Sequence, residues 1–302
     1  AWEGASPGNR RERDAAATAC SFARFVLYFG IEICTLRREA VHTFIFFVMS
    51  LIASAIGAIA GIGGGVIIRP VLDSFHVMSA ATVSFLSGCT VLSMSCYSTV
   101  RVQISGDNRL RVKIALPLGV GAALGGVLGK ELFKRLSAMF ENPDAVGAVQ
   151  SACLMAVMLL TLLYTLRAAK IRTHSVKNPA SIAGIGLLLG ILSAFLGIGG
   201  GPINLMVLGY FFSMDIKTAA QNSLMTILIS QIASLITTLV TRSVPAFSPL
   251  TLCLMVLGGV LGAAIGRTLN CRMRERHVSA LFGAAMAVII LLSARNMLAY
   301  LQ

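Results

Sequence analysis

The sequence predicts an all-α, polytopic membrane protein made of two inverted repeats. Each repeat has about five helical segments, of which one is a short, Gly-rich broken or re-entrant helix. Three observations predict this fold class. The 302-residue chain is 56% hydrophobic and only 12% charged, against ~25% charged in soluble domains. Its charges are segregated between long apolar windows, and a glycine-rich motif occurs twice.

The charge-free windows set the number of membrane segments. They cover 43–68, 114–129, 145–166, 178–214, 218–241 and 243–266. Each can hold a membrane-crossing helix, which takes about 20 residues. The net charge of +13 lies in the short loops between them without interleaved aromatic residues, which favours the positive-inside rule over nucleic-acid binding. We therefore expect a multi-pass protein of the plasma (inner) membrane, with the lipid bilayer as a partner and no nucleic acid.

Residues 1–41 are predicted to be an N-terminal extension. Phe22, Phe25, Val26, Phe29, Ile33 and Leu36 lie at helical spacing on one face. This pattern is typical of an amphipathic helix on the membrane surface. A secretory signal is disfavoured, because charged residues interrupt the apolar stretch and no small-residue cleavage site follows it. A crossing by 21–36 is the alternative.

The segments of the two repeats follow in order. The first repeat, 42–167, contains predicted segments at 42–60, 63–75, 79–100, 112–129 and 145–167. A basic connecting loop, 168–179, leads to the second repeat, 180–302, with segments at 180–196, 200–213, 216–241, 248–266 and 277–295. The second segment of each set is short, begins at a glycine cluster and carries Pro70 or Pro202. Both are predicted to be half-helices or re-entrant pieces.

Glycine spacing supports the duplication at a second place. Gly121, Gly125 and Gly129 recur as Gly258, Gly262 and Gly266, 137 residues later, and the glycine clusters recur at 136 residues. Small residues at every fourth position form a flat stripe that lets helices approach closely in lipid. We interpret these six glycines as helix-packing residues.

Loop charge indicates how the repeats are oriented. Loop 101–113 carries a net charge of +3, whereas its second-half equivalent has only Arg242. The next loop reverses this bias, because 130–144 is neutral and 267–277 carries +3. Equivalent loops are thus predicted to face opposite sides, with 101–113, 167–177 and 267–277 in the cytoplasm.

The duplicated glycine clusters are the predicted substrate site. A helix that begins after such a cluster presents free backbone N–H groups and a partial positive charge, which suit an anion. Glycine leaves room for close approach and permits left-handed backbone angles. The candidates are Gly61, Gly63, Gly64, Gly65, Gly197, Gly199, Gly200 and Gly201. Tight helix crossing is the alternative role for them.

Polar side chains near the short helices complete the predicted site. Substrate-binding candidates are Arg69, Thr82, Ser84, Asn204, Gln221, Asn222 and Ser223. Amides and hydroxyls can donate to an anion without adding charge, although interhelical hydrogen bonds explain them equally well. Asp73 and His76 are candidates for proton coupling. Arg69 and Asp73 can also neutralise each other at i, i+4 spacing or extend to the interface.

Enzyme motifs are absent from the sequence. It has no GxSxG, HExxH or GxxxxGK[ST] pattern, and the glycine cluster lacks the last glycine of GxGxxG. The seven cysteines show no CxxC spacing. We therefore predict no enzymatic activity, no catalytic residues, no metal and no cofactor.

The paired clusters resemble those of the sulfite exporter TauE/SafE family over about residues 45–295. The resemblance is carried by Gly61, Gly63, Gly64, Gly65, Pro70 and Leu72 in the first half and by Gly197, Gly199, Gly200 and Gly201 in the second. Met206 stands where the second proline would fall, and Arg69 replaces a residue that is usually apolar in the family.

The resemblance implies a secondary transporter that exports a small sulfur-containing anion, such as sulfite, a sulfonate or sulfoacetate, by alternating access. Two alternatives stay open. One is an uptake permease for a sulfur-containing or carboxylate anion, and the other is a membrane scaffold or receptor that does not transport. The sequence leaves the coupling ion and the oligomeric state undetermined.

Overall fold

A computed structural model describes residues 43–74, 78–106, 109–138, 143–167, 173–196 and 199–300. The predicted surface helix in 1–41 lies outside these residues. Within them the chain forms ten helices and no strand. They are α1 Thr43–Ala60, α2 Gly65–Ser74, α3 Ala80–Ile104, α4 Val112–Ala138, α5 Pro143–Arg167, α6 Pro179–Leu196, α7 Gly201–Phe212, α8 Ile216–Val240, α9 Pro249–Arg272 and α10 Glu275–Tyr300.

Length and composition make this a membrane fold. In the described part of the chain, seven helices are long and apolar enough to cross a bilayer. Residues 46–302 form one compact unit, and each helix corresponds to one predicted segment. The predicted all-α polytopic class is therefore confirmed. The protein is a multi-pass integral membrane protein.

The predicted end of the fourth segment was wrong. The segment was ended at residue 129 because charged residues begin at Lys130, but α4 continues for two more turns to Ala138. Lysine, glutamate, leucine and arginine, which favour helix, dominate this extension. An i, i+4 ion pair between Glu131 and Arg135 (3.3 Å) lies on its exposed surface. Charge density was thus a poor marker of where this helix stops.

Each short helix starts after a break in the backbone. α1 ends at Ala60 and α2 begins at Gly65, after Gly61 (φ 73°) and Gly63 (φ 69°) have taken left-handed angles. In the second half, Gly199 (φ 67°) and Gly200 (φ 86°) do the same before α7. Side chains other than glycine's adopt such angles at a cost of about 1–2 kcal/mol. The glycines therefore allow the chain to leave one helix and begin the next.

The six repeated glycines pack helices together, as expected. A methyl group at Gly125 in α4 would overlap the carbonyl of Leu187 in α6. One at Gly262 in α9 would overlap the carbonyl of Leu51 in α1. Equivalent overlaps occur at the other four glycines. Two backbone-to-backbone crossings between the halves, α4–α6 and α9–α1, thus depend on residues without a side chain.

Alanine at Gly186 is expected to destabilise the protein by about 1–3 kcal/mol, because its methyl group would overlap the Leu118 carbonyl across the α4–α6 crossing. Gly184 is the matched control, since it is on the same helix and has open space around it. Gly184→Ala should cost nothing, because alanine favours helix. Thermal unfolding in detergent compares the two. Equal melting temperatures would contradict this account of the crossing.

Helix pairings in the two halves correspond. α4 packs on α6 and α8, as α9 packs on α1 and α3. α2 packs on α3, as α7 packs on α8. The pairs α3–α8 and α5–α10 join corresponding helices of the two halves. When each helix of α1–α5 is replaced by its counterpart in α6–α10, and the reverse, the same set of helix pairs results.

Hydrogen bonds gather the three basic loops at the start of α8. The side-chain amide of Asn222 donates to the Arg109 carbonyl (2.9 Å) and accepts from the Arg111 N–H (2.8 Å). The buried Lys217 ammonium donates to the carbonyl of Asn270 (3.0 Å), at the end of α9. Ser213 donates to the carbonyl of His174 (2.9 Å). We call this end of the molecule the basic end.

The side chain of Asp215 caps α8 by accepting a hydrogen bond from the N–H of Thr218 (3.1 Å). Burial alone would raise the pKa of Asp215. The hydrogen bonds from Thr218 and the positive charge of Arg109 outweigh this effect, and the pKa lies below its usual value. The carboxylate is therefore better stabilised in the folded state than in the unfolded chain.

The Asp215 carboxylate should make stability depend on acid pH. The pKa of Asp215 is lower in the folded state than in the unfolded chain, where it is about 4. The carboxylate therefore stabilises the folded protein at pH values above about 4. This stabilisation is lost as the pH falls through the folded-state pKa. Asn keeps a capping oxygen but no charge. Asp215→Asn should melt below the parent at pH 7, and the gap should close in acid. A gap that persists in acid would contradict the assignment.

Candidate functional site

A cavity of about 370 Å³, lined by both polar and apolar groups, lies between the two halves of the 46–302 unit. Its wall is formed by the seven helices α2 to α8 together with both glycine breaks. It extends to Ser243 and Pro245 in the α8–α9 loop. The Thr82 hydroxyl of α3 donates to the carbonyl of Ala246 in the α8–α9 loop (3.1 Å). The start of α3 therefore lies at the same end. The cavity thus reaches the end opposite the basic end.

Both backbone breaks border this cavity and touch each other. Gly63 and Gly65 line it from the first break, and Gly199 lines it from the second. A methyl group on Gly201, the first residue of α7, would overlap the carbonyl of Ile62. The two interruptions therefore meet in the interior, where the starts of two short helices converge.

The helix starts at the breaks supply backbone donors. Among the described residues, no backbone carbonyl accepts a hydrogen bond from the N–H of Gly63 or Gly65. α7 has Pro202 in its first turn, where a missing N–H costs no helix bond. The partial positive charges of two helix starts therefore act on one cavity.

The side-chain charges of the cavity are positive. Among its described lining residues, the charged ones are Arg69 and Lys130, and none is a carboxylate. The Lys130 ammonium donates to the Ser234 hydroxyl across the α4–α8 contact (2.5 Å). The Lys130 ammonium, next to neutral donors, suits a small anion.

Neutral polar groups fill much of the remaining wall. One face of α8 contributes Ser230, Gln231, Ser234, Thr237 and Thr238. Gln150 of α5 donates to the carbonyl of Phe195 (2.8 Å), and Ser193 comes from α6. Hydroxyls and amides of this kind can donate to the oxygens of an anion. Apolar side chains, among them Phe85 and Phe133, make up the larger part of the lining surface.

The structure brings six predicted substrate-binding residues to the cavity wall. They are Gly63, Gly65, Arg69, Ser84, Gly199 and Asn204. Asn204 is 3% exposed and lies on the first turn of α7. Asn204 and Gly199 both line the cavity near the start of α7, and their substrate role stays a prediction.

Other predicted residues lie outside the cavity lining. They are Gly61, Gly64, Thr82, Gly200, Gly201, Gln221, Asn222 and Ser223. Gly61 packs against the backbone of Ala220 and Gly64 against Ser54. Thr82 and Asn222 hold loops through the hydrogen bonds given above. Gly197 and His76 lie outside the described residues, as does the side chain of Asp73.

Sequence reasoning missed Lys130, Ser193 and the polar face of α8. Lys130 follows the charge-free window by one residue and was assigned to a loop. In α8, Ser234 follows Ser230 by four residues and Gln231 by three, a spacing that places the three side chains on one helix face. That spacing was a signal available in the sequence.

A polytopic helical bundle with broken helices around a cavity that carries cationic and neutral polar groups is typical of a membrane transporter. Comparison with known proteins agrees. The sequence profile of the sulfite exporter TauE/SafE family matches residues 46–293, and the chain belongs to this family. It is 25% identical over 187 residues, 61% of this chain and 73% of the relative, to the probable membrane transporter protein YdhB of Bacillus subtilis (strain 168). No solved structure matches significantly.

Proposed function

We propose that this protein is a secondary transporter that exports sulfite or a small organosulfonate by alternating access. The observation that carries the proposal is the cavity, which is lined by residues at both helix starts and by the cationic side chains of Lys130 and Arg69. A sulfite or sulfonate group has several acceptor oxygens, and the wall offers donors from both halves. The family to which the chain belongs supports this anion class.

Alternating access follows from an inverted repeat of 42–167 and 180–302, joined by the loop 168–179. Corresponding helix pairings support this arrangement. The order of contacts along α4–α6 and α9–α1 shows that both crossings are parallel. α1 would then begin opposite the basic end and α6 at it. Two related halves can exchange their conformations and open the same site to either side.

The basic end would face the cytoplasm. Loops 101–113, 167–177 and 267–277 carry the positive residues that favour this side. Because the cavity reaches the opposite end, the conformation described here would be open to the outside.

An anion screen tests the substrate class. The purified protein is heated in detergent with sulfite, methanesulfonate, sulfate, acetate or chloride, since a bound ligand raises the apparent stability by RT ln(1 + [L]/Kd). Sulfite and methanesulfonate should raise the melting temperature most. Stabilisation by acetate instead would favour a carboxylate permease, and no stabilisation by any anion would contradict the proposal.

Transport itself is tested in proteoliposomes. Counterflow of labelled methanesulfonate should occur in vesicles that contain the protein and not in empty vesicles. An imposed pH gradient that accelerates net flux would reveal proton coupling and its direction. Specific binding without any counterflow would favour a receptor over a transporter.

A further inference from the structure

Four buried hydroxyls on α3 and α8 have no hydrogen-bond partner among the described residues. They belong to Ser95, Ser98, Thr99 and Ser223 and are at most 6% exposed. Other hydroxyls on these helices bond to their own backbone, as Thr90 does to the Leu86 carbonyl (2.9 Å). A buried, unbonded hydroxyl is unfavourable compared with an apolar group of the same shape. Four of them on two adjacent helices suggest a partner that is absent in this conformation.

Packing places these hydroxyls on the side of the cavity that faces the basic end. α3 and α8 are antiparallel, since Gly88 faces Gln231 and Met94 shares a cluster with Leu224. Val91 and Ile227, which lie against Gly63, close the cavity on this side.

Ser95 and Ser223 adjoin the layer of Met94 and Leu224, and Ser98 and Thr99 follow one turn further along α3. The four hydroxyls therefore lie between the cavity and the basic end.

Asn222 directly precedes Ser223 on α8 and makes its contact at the basic end. Asn222 is fully buried and holds the segment that contains Arg109 and Arg111. Arg111 directly precedes α4, so this attachment holds the basic end of α4 against α8. Release of the contact would free the basic end of α4 from α8, close to Ser223.

We propose that the four buried hydroxyls form the second part of the anion's route, which the anion contacts when the site opens to the basic end. The hydrogen bonds of Asn222 keep this part of the route closed in the present conformation. The inference rests on the proposed transport function. In the opened state the hydroxyls would donate to the anion's oxygens and be replaced as donors by water after it leaves.

Alanine substitutions test the route. Ser98→Ala and Ser223→Ala should keep or raise the melting temperature, because each removes an unbonded hydroxyl. Methanesulfonate counterflow should nevertheless fall about tenfold in the double variant, from the loss of two donors to a charged ligand. Ser293→Ala is the matched control, since Ser293 on α10 is also buried and unbonded. It should transport like the parent.

Thiol labelling tests the opening. Ser98→Cys is made in a background whose native cysteines are alanine, and a negatively charged methanethiosulfonate is added from the basic side. Labelling should be slow at rest and about tenfold faster with Asn222→Ala or during methanesulfonate counterflow. Ser293→Cys should stay unlabelled throughout. Sulfite is avoided because it consumes the reagent.

The outcomes separate the two proposals. Absence of flux in the parent protein would overturn the transport function itself. Parental flux with unchanged transport in the Ser98→Ala, Ser223→Ala double variant would overturn only the second part of the route, as would a Ser98→Cys thiol that stays unlabelled during counterflow. If the cysteine-free or Asn222 variants fail to fold, the flux of the alanine variants decides.

Discussion

Replacing Lys130 by glutamine is expected to weaken anion binding about ten- to hundredfold and leave the protein folded. A hydrogen bond to a charged group contributes about 1.5–3 kcal/mol, and each 1.4 kcal/mol is a factor of ten in affinity. Glutamine preserves a donor for the Ser234 hydroxyl, which Lys130 contacts in the cavity. The Kd for methanesulfonate, from ligand-dependent melting, measures the effect.

Lys113 provides the control for this variant. It lies near the start of the same helix, is exposed and does not line the cavity. Lys113→Gln removes the same charge and should bind methanesulfonate like the parent. Equal affinities in the two variants would show that Lys130 does not contact the anion.

Alanine at Gly199 is the second substitution with a large expected effect. Gly199 lines the cavity at φ 67°, and a methyl group there would lie 3.1 Å from the Gln231 amide nitrogen. The variant should lose about 1–2 kcal/mol of stability through backbone strain. It should also lose most methanesulfonate counterflow, because the methyl group enters the space beside the helix start where the anion is held.

Gly106 separates backbone strain from the site. It has a similar angle (φ 63°) and lies at the end of α3, where a methyl group would meet no other atom within 4 Å. Gly106→Ala should therefore lose similar stability and transport normally. If both variants transport equally well relative to the amount of folded protein, the second break has no part in holding substrate.

Much of the fold was predictable because its determinants are local. Charge-free windows and glycine clusters gave each helix, and the short α2 and α7 were expected from Gly65 and Gly201 at their starts. Helix ends were less predictable. Lys130 belongs to α4 because the charged residues after it also favour helix, so the end of the apolar window was not the end of the helix.

The site was predictable only in part because its composition depends on tertiary contacts. Gly63 and Gly199 could be named from the repeat, but the contact between Gly201 and the Ile62 carbonyl requires both halves to be folded. Asn222 illustrates the opposite case. Its residue type suits an anion, yet its amide is engaged by the backbone of the α3–α4 connection. Residue type alone could not distinguish these roles.

The most direct test of the site is to locate a bound anion. Bromomethanesulfonate carries the expected sulfonate group, and its bromine marks the position by anomalous scattering in crystals of the protein. The account predicts a bromine peak within the cavity, with the sulfonate between Gly63 and Gly199 and within hydrogen-bond distance of Lys130. A fully occupied anion elsewhere in the protein, with this cavity empty, would contradict it.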